Sequence, residues 1–189
     1  MQKVLFILGE MSDDDIDWML EMGMREYIHA GEVLIHEGKP VSGIYVLLEG
    51  KLSVSVAKFG NKEIAQLSSG EVVGEMSFVD ARPPSATVTA LEDSYVFSVP
   101  RPRLSEKLRQ DSGFASRFYR ALAILLSNRL RVTVSQLGYG NDCPTEPPKT
   151  PSDLDAYVSE SVLLAQARFD WLLRRLKTGS QSGRSEVSS

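Results

Sequence analysis

The chain has a single cysteine, Cys143, among 189 residues. An intrachain disulfide is therefore excluded, and so is a cysteine-rich metal centre. Histidine is nearly as scarce: His29 and His36 stand in no paired spacing, which argues against zinc. Long hydrophobic runs are missing too. The run "VLFIL" at 4–8 is too short for a signal-peptide core or a membrane span, and no cleavage-type sequence follows it. The expectation is a cytoplasmic protein with no stable membrane insertion. There is no positive excess: 21 Lys and Arg face 25 Asp and Glu, for a net charge of −4. That balance argues against broad nucleic-acid affinity, which rests on phosphate neutralisation. Ser105 and the other lone serines have no His/Asp context, and no nucleophile–base or metal constellation is present, so neither an enzyme nor a cofactor is expected.

What remains is an ordinary globular composition, 42% hydrophobic and 24% charged, in a length that suits one domain with appendages or two small ones. "SDDDIDWMLEMG" (12–23) predicts a short helix. Ser12 suits its N-cap, Asp15 the capping-box position, and Gly23 its end, while Ile16, Met19 and Leu20 give it an apolar face. The "DDD" run at 13–15 reads as a solvated helix start. From Tyr27 to Val99 the period changes. Short β-branched stretches are punctuated by Gly31, Gly38, Gly43, Gly50, Gly60, Gly70 and Gly74, as in a β sandwich, barrel or jelly roll. "KFGNKE" (58–63) is a hairpin turn in which Gly60 and Asn61 tolerate positive φ.

After Pro102 the pattern turns helical. One helix is expected over 103–111 and a long one over 112–137. The apolar stripe of the long helix is Phe114, Phe118, Ala121, Leu122, Leu125, Leu126 and Leu130. A Pro/Gly-rich linker follows at 138–151. The terminal amphipathic helix is expected over 152–177, capped by Thr150 with Pro151 at its start, and the tail over 178–189 is expected to be disordered. Its stripe runs Leu154, Val158, Val162, Ala165, Phe169, Leu172 and Leu176, and Phe169 and Trp171 read as core or interface anchors. Each of these two helices either packs on the β unit or meets a partner. His36 reads as a surface residue.

The stretch "SGEVVGEMSFVDARPPSATVTALEDS" (69–94), with Gly38 in "EGKP" and Gly50 in "LLEGKLSV", resembles the cyclic-nucleotide-binding domain family over residues 12 to about 137. The resemblance implies an α+β fold, an antiparallel β jelly roll flanked by helices, with a phosphate-binding cassette between two strands. It also implies a ligand, cAMP or cGMP. Gly74 would allow close backbone approach, Glu75 would accept from a ribose 2′-hydroxyl, and Met76 and Ser77 would open a short helix aimed at the anion. Ser85 and Ala86 would offer N–H groups, and Thr87 a hydroxyl. One departure stands out: the family's arginine before the last cassette strand falls here on Pro84 or Ser85, and Arg82 is the loop's lone arginine. Pro83 and Pro84 also lack N–H donors.

Two readings follow. In one, a non-catalytic sensor binds cyclic nucleotide, with Arg82 replacing the missing arginine, and acts through its C-terminal helices. In the other, the fold is ligand-free or differently liganded and serves as an interaction module. A homodimer through 112–137 and an unknown protein partner through 152–177 belong to either. A DNA-binding regulator is not expected, because the residues after the long helix carry no second recognition helix.

Overall fold

The computed structural model describes residues 5–136, 163–164 and 166–176. The linker at 138–151, the tail at 178–189 and the stripe positions Leu154, Val158, Val162 and Ala165 lie outside the described residues. Two short helices come first, α1 (Leu5–Glu10) and α2 (Asp13–Met22). The sequence read the second of them: the Ser12 hydroxyl accepts from the Asp15 N–H, and the Asp15 carboxylate accepts from the Ser12 N–H at 2.8 Å. Gly23 ends α2 without a left-handed turn; its φ is −92°. A Cβ there would overlap the Phe97 ring and sit 2.8 Å from the Met19 carbonyl oxygen.

Eight strands follow: β1 (Met24–Ile28), β2 (Val33–Ile35), β3 (Gly43–Glu49), β4 (Lys51–Val56), β5 (Lys62–Ser68), β6 (Val72–Val73), β7 (Thr87–Ala90) and β8 (Ser94–Pro100). They form two four-stranded sheets, β1-β8-β3-β6 and β2-β7-β4-β5, and every pairing is antiparallel. This is the expected jelly roll. The β4–β5 hairpin turns where predicted, with φ 69° at Gly60 and 57° at Asn61. Strand β3 is buried along nearly its whole length because it packs on both faces. Tyr45 and Leu47 join Leu52, Val73, Val88 and Val96 between the sheets, while Ile44, Val46 and Leu48 join Phe97 and Val99 against the helices. A continuous apolar run is what burial on two sides requires.

The helical layer is completed by α4 (Arg101–Gln110), α5 (Ser112–Gln136) and the terminal helix α6 (166–176). In α5, Phe114, Phe118, Ala121, Leu122 and Leu125 are buried as predicted, and Leu126 is half-buried. Leu130 is not part of that face; it is 63% exposed. The buried stripe advances from Leu122 and Leu125 to Arg129, four residues beyond Leu125, and Leu130 rotates away. Helix α6 folds back. Its Phe169 and Leu172 are buried in the cluster that holds Leu8, Met11 and Ile16, while Trp171 is 39% exposed. Arg168 donates to the Leu8 and Met11 carbonyls at 2.7 and 2.6 Å and pairs with Asp13 at 2.7 Å. Arg117 of α5 grips Asp15 through two bonds of 2.6 and 2.8 Å, and Arg120 meets Glu10 at 3.0 Å.

Candidate nucleotide cassette

Strand β6 is followed by Gly74, whose φ is +86°. A side chain is barred there twice: the conformation is left-handed, and a Cβ would stand 2.6 Å from the Gly43 carbonyl oxygen. The chain then turns through one helical turn, α3 (Met76–Val79), with Glu75 at its N-cap. The loop from Asp80 to Ala86 returns it to β7. Ala81 is held at φ +57°, an uncommon conformation for a residue with a side chain, and the Asp80 carboxylate accepts from the Arg82 N–H at 3.0 Å. The Pro84 carbonyl accepts from the Gly38 N–H at 2.9 Å, which ties the loop to the turn after β2. On the outer side, Arg101 donates to the Ser77 carbonyl at 2.8 Å and lies over the Phe78 ring.

These elements enclose a cavity of about 420 Å³. Seven of the sequence-predicted residues line it: Gly74, Glu75, Met76, Ser77, Arg82, Ser85 and Ala86. The apolar floor comes from Ile35, Val54, Leu67, Val73 and Val88. Thr87 is not on the wall; its hydroxyl accepts from the Glu37 N–H at 3.2 Å and fastens β7 to the turn after β2. Arg82 stands at the mouth with its side chain 82% exposed, 3.8 Å from Asp80. A larger, open groove of about 830 Å³ runs between α2, β1, β8 and α6. Its wall of Asp17, Glu21, Arg25, Arg175, Tyr27 and Tyr95 mixes both charges and has no glycine-backed loop, so the smaller cavity is the better-built site.

Glu75 has a partner that the sequence did not show. Its side chain is 3% exposed, and Arg129 of α5 donates to its Oε1. The same guanidinium donates to the Val72 carbonyl at 2.5 Å and forms part of the cavity wall. Burial pushes the Glu75 carboxyl above its ordinary value, and the charge of Arg129 opposes that without cancelling it. Glu75 makes no side-chain cap bond to α3, so it is not a helix-capping carboxylate. One signal for Arg129 was present: a lone arginine lying in register with an apolar stripe either snorkels or meets an acid.

The arrangement offers a buried acceptor, backbone held close by glycine, two arginines and an apolar floor. That suits a small ligand carrying a donor hydroxyl, an anionic group and a flat apolar part. Among the described residues no group of acids, histidines and cysteines could hold a metal ion, and no helix is long and apolar enough to cross a membrane.

Comparisons with known proteins agree with this geometry. Residues 25–111 match the family described as "Cyclic nucleotide-binding domain". The chain is 28% identical over 120 residues to an NTE family protein of Mycobacterium tuberculosis, covering 64% of this chain and 20% of that protein. It is 28% identical over 123 residues to the cyclic AMP receptor protein of Thermus thermophilus, covering 64% of this chain and 55% of that one. The curated relatives first matched are thus about five times as long as the segment they share with it. A crystal structure of a cyclic nucleotide-binding domain from Methylobacillus flagellatus superposes with a TM-score of 0.63 at 22% identity, covering 71% of this chain and 80% of that one. That likeness establishes the shared fold. Residues 25–111 thus match the cyclic nucleotide-binding domain family, and the chain shares the fold of such domains.

Proposed function

We propose that the chain is a non-catalytic regulatory module that binds cAMP or cGMP in the cassette cavity and passes occupancy to its C-terminal helices. The observation that carries this reading is Glu75, a buried carboxylate on the wall of a 420 Å³ cavity whose backbone is opened by Gly74. Glu75 receives the ribose hydroxyl. Gly74, Met76, Ser77, Ser85 and Ala86 surround the cyclic phosphate, and Arg82 stands at the mouth. Residues 1–137 serve as the binding unit. The setting is cytoplasmic, and no DNA is recognised.

Helix α5 supports a homodimer in this reading. Opposite its buried stripe, Tyr119 (46% exposed), Leu130 (63%) and Val134 (40%) lie on solvent, with Ala123 and half-buried Leu126 between them. Their spacing of three and four residues makes a seam suited to a second copy. Helix α6 is already engaged with α1 and α2 through Phe169, Leu172 and Arg168, so an outside protein would meet its outer face, where Trp171 is exposed, and the exposed Leu163 and Leu164 before it.

A second reading, an interaction module without nucleotide, is favoured by Pro84 at the expected arginine position and by Arg129 already occupying Glu75. Thermal unfolding with increasing cAMP or cGMP separates the two. A ligand that binds the folded state raises the midpoint in a concentration-dependent way. An unmoved midpoint at saturating nucleotide favours the interaction module.

A further inference from the structure

We propose that Arg129 is the cavity's phosphate-binding cation, supplied by α5 in place of the arginine missing from the cassette. This rests on reading the cavity as a nucleotide site.

The geometry of the pair carries the argument. Glu75 is 3% exposed and Arg129 27% exposed, and both belong to one cavity wall. Of the two, the arginine is the more exposed partner. A hydroxyl that takes Oε1 of Glu75 from the cavity displaces Arg129 from it. Sending that guanidinium to water would leave a buried carboxylate with only a neutral donor, and breaking a buried pair is costly. A ligand that also carries an anion removes the difficulty: its hydroxyl takes Glu75 while its phosphate takes the guanidinium.

The cassette's own inventory points the same way. Pro83 and Pro84 on the wall have no N–H, and Arg82 is turned to solvent beside Asp80. Arg129 is the cation positioned inside, on a long side chain rooted in a helix whose first half is fixed by Phe114, Phe118, Leu122 and Leu125. A planar guanidinium suits the exchange, because it can take a carboxylate or a phosphate with the same pair of donors. The ligand class is accordingly one with a donor hydroxyl and an anion on a single sugar-sized frame.

The test is isothermal titration of the full chain and its Arg129→Ala and Arg129→Lys variants with cAMP and with adenosine, which lacks the phosphate. Thermal unfolding of each variant checks that it is folded. Expected is a loss of about tenfold to a hundredfold for cAMP in Arg129→Ala. Arg129→Lys should recover part of that loss, and adenosine affinity should be unchanged or tighter. An Arg129→Ala variant that binds cAMP as the wild type does overturns the assignment. So does equal weakening for cAMP and adenosine, which marks a structural role. If the wild-type chain binds no cyclic nucleotide, the functional reading falls first and this inference with it; binding that ignores Arg129 sinks this inference alone.

Discussion

Glu75 and Asp15, both buried, sit in opposite electrostatic regimes. At Glu75 burial raises the carboxyl's pKa and Arg129 offsets that only in part. At Asp15 burial also pushes upward, but the hydrogen bonds from Arg117 and Ser12 outweigh it and hold the group below its ordinary value. Linkage then gives opposite slopes. The folded state binds the Glu75 proton more tightly than the unfolded chain does, so the Glu75 contribution to stability is fullest below the unfolded value of about 4.3 and is lost as pH rises through the raised folded value. The Asp15 contribution is present above its unfolded value of about 3.9 and is lost as pH falls through the lowered folded value. Urea unfolding across acidic to neutral pH should show the stability gap between wild type and Glu75→Gln shrinking as pH rises. The gap between wild type and Asp15→Asn should grow over the acidic window. Parallel curves would contradict both assignments. Arg117 is 38% exposed, so solvent screening limits the loss in Asp15→Asn at neutral pH to about 2 kcal/mol. Arg82 is a surface residue by comparison. Replacing it with alanine should leave the unfolding midpoint unmoved and weaken nucleotide by less than about threefold, as exposed charges do; a loss as large as that of Arg129→Ala would make Arg82 the working cation.

Helix α5 shows which elements the sequence made legible. Its length and most of its buried face followed from spacing, because three- and four-residue recurrence of apolar side chains is a property of one helix alone. The last turns did not. Leu130 continued the apolar count, yet it is exposed, and the residue that meets the roll in these turns is Arg129. Hydrophobicity alone cannot tell a leucine that meets the roll from one that meets a second copy. Leu125→Ala should therefore destabilise the fold by about 2–5 kcal/mol, whereas Leu130→Ala should leave unfolding of the single chain unchanged and weaken self-association, seen by sedimentation. Equal effects on unfolding would contradict the assignment of faces. The cassette glycine and glutamate were legible because the short stretch around Gly74 and Glu75 resembles the family's cassette. The Glu75–Arg129 pair was not, because it joins residues 54 apart across two elements. Among described side chains from 126 to 134 none is buried, and Arg129 tethers this end of α5 to the roll through Glu75 and the Val72 carbonyl. Hydrogen exchange should show the backbone amides of 126–136 opening faster in Arg129→Ala than in the wild type, with 114–122 unchanged; identical exchange would mean that the helix end is held elsewhere.

At the scale of the molecule, the helices pack as one layer against the sheet that carries β3 and β8, and are tied to each other. Arginines of α5 and α6 hold α1 and α2 through Asp15, Glu10 and Asp13, and a further arginine of α5 holds the cassette through Glu75. The fold class was readable from glycine punctuation and short strands. The return of α6 onto the N-terminal helices was not, since its stripe fitted self-packing and partner docking equally. Helix α5 thus touches both the candidate ligand site and the helical layer, which is the arrangement a sensing module needs for coupling between sites. The most direct test of that account is isothermal titration of the full chain with cAMP and cGMP, after unfolding and refolding to strip carried-over ligand. The account predicts saturable binding with a Kd of about 1 μM or tighter for at least one of them. No heat from either nucleotide at about 1 mM would contradict it.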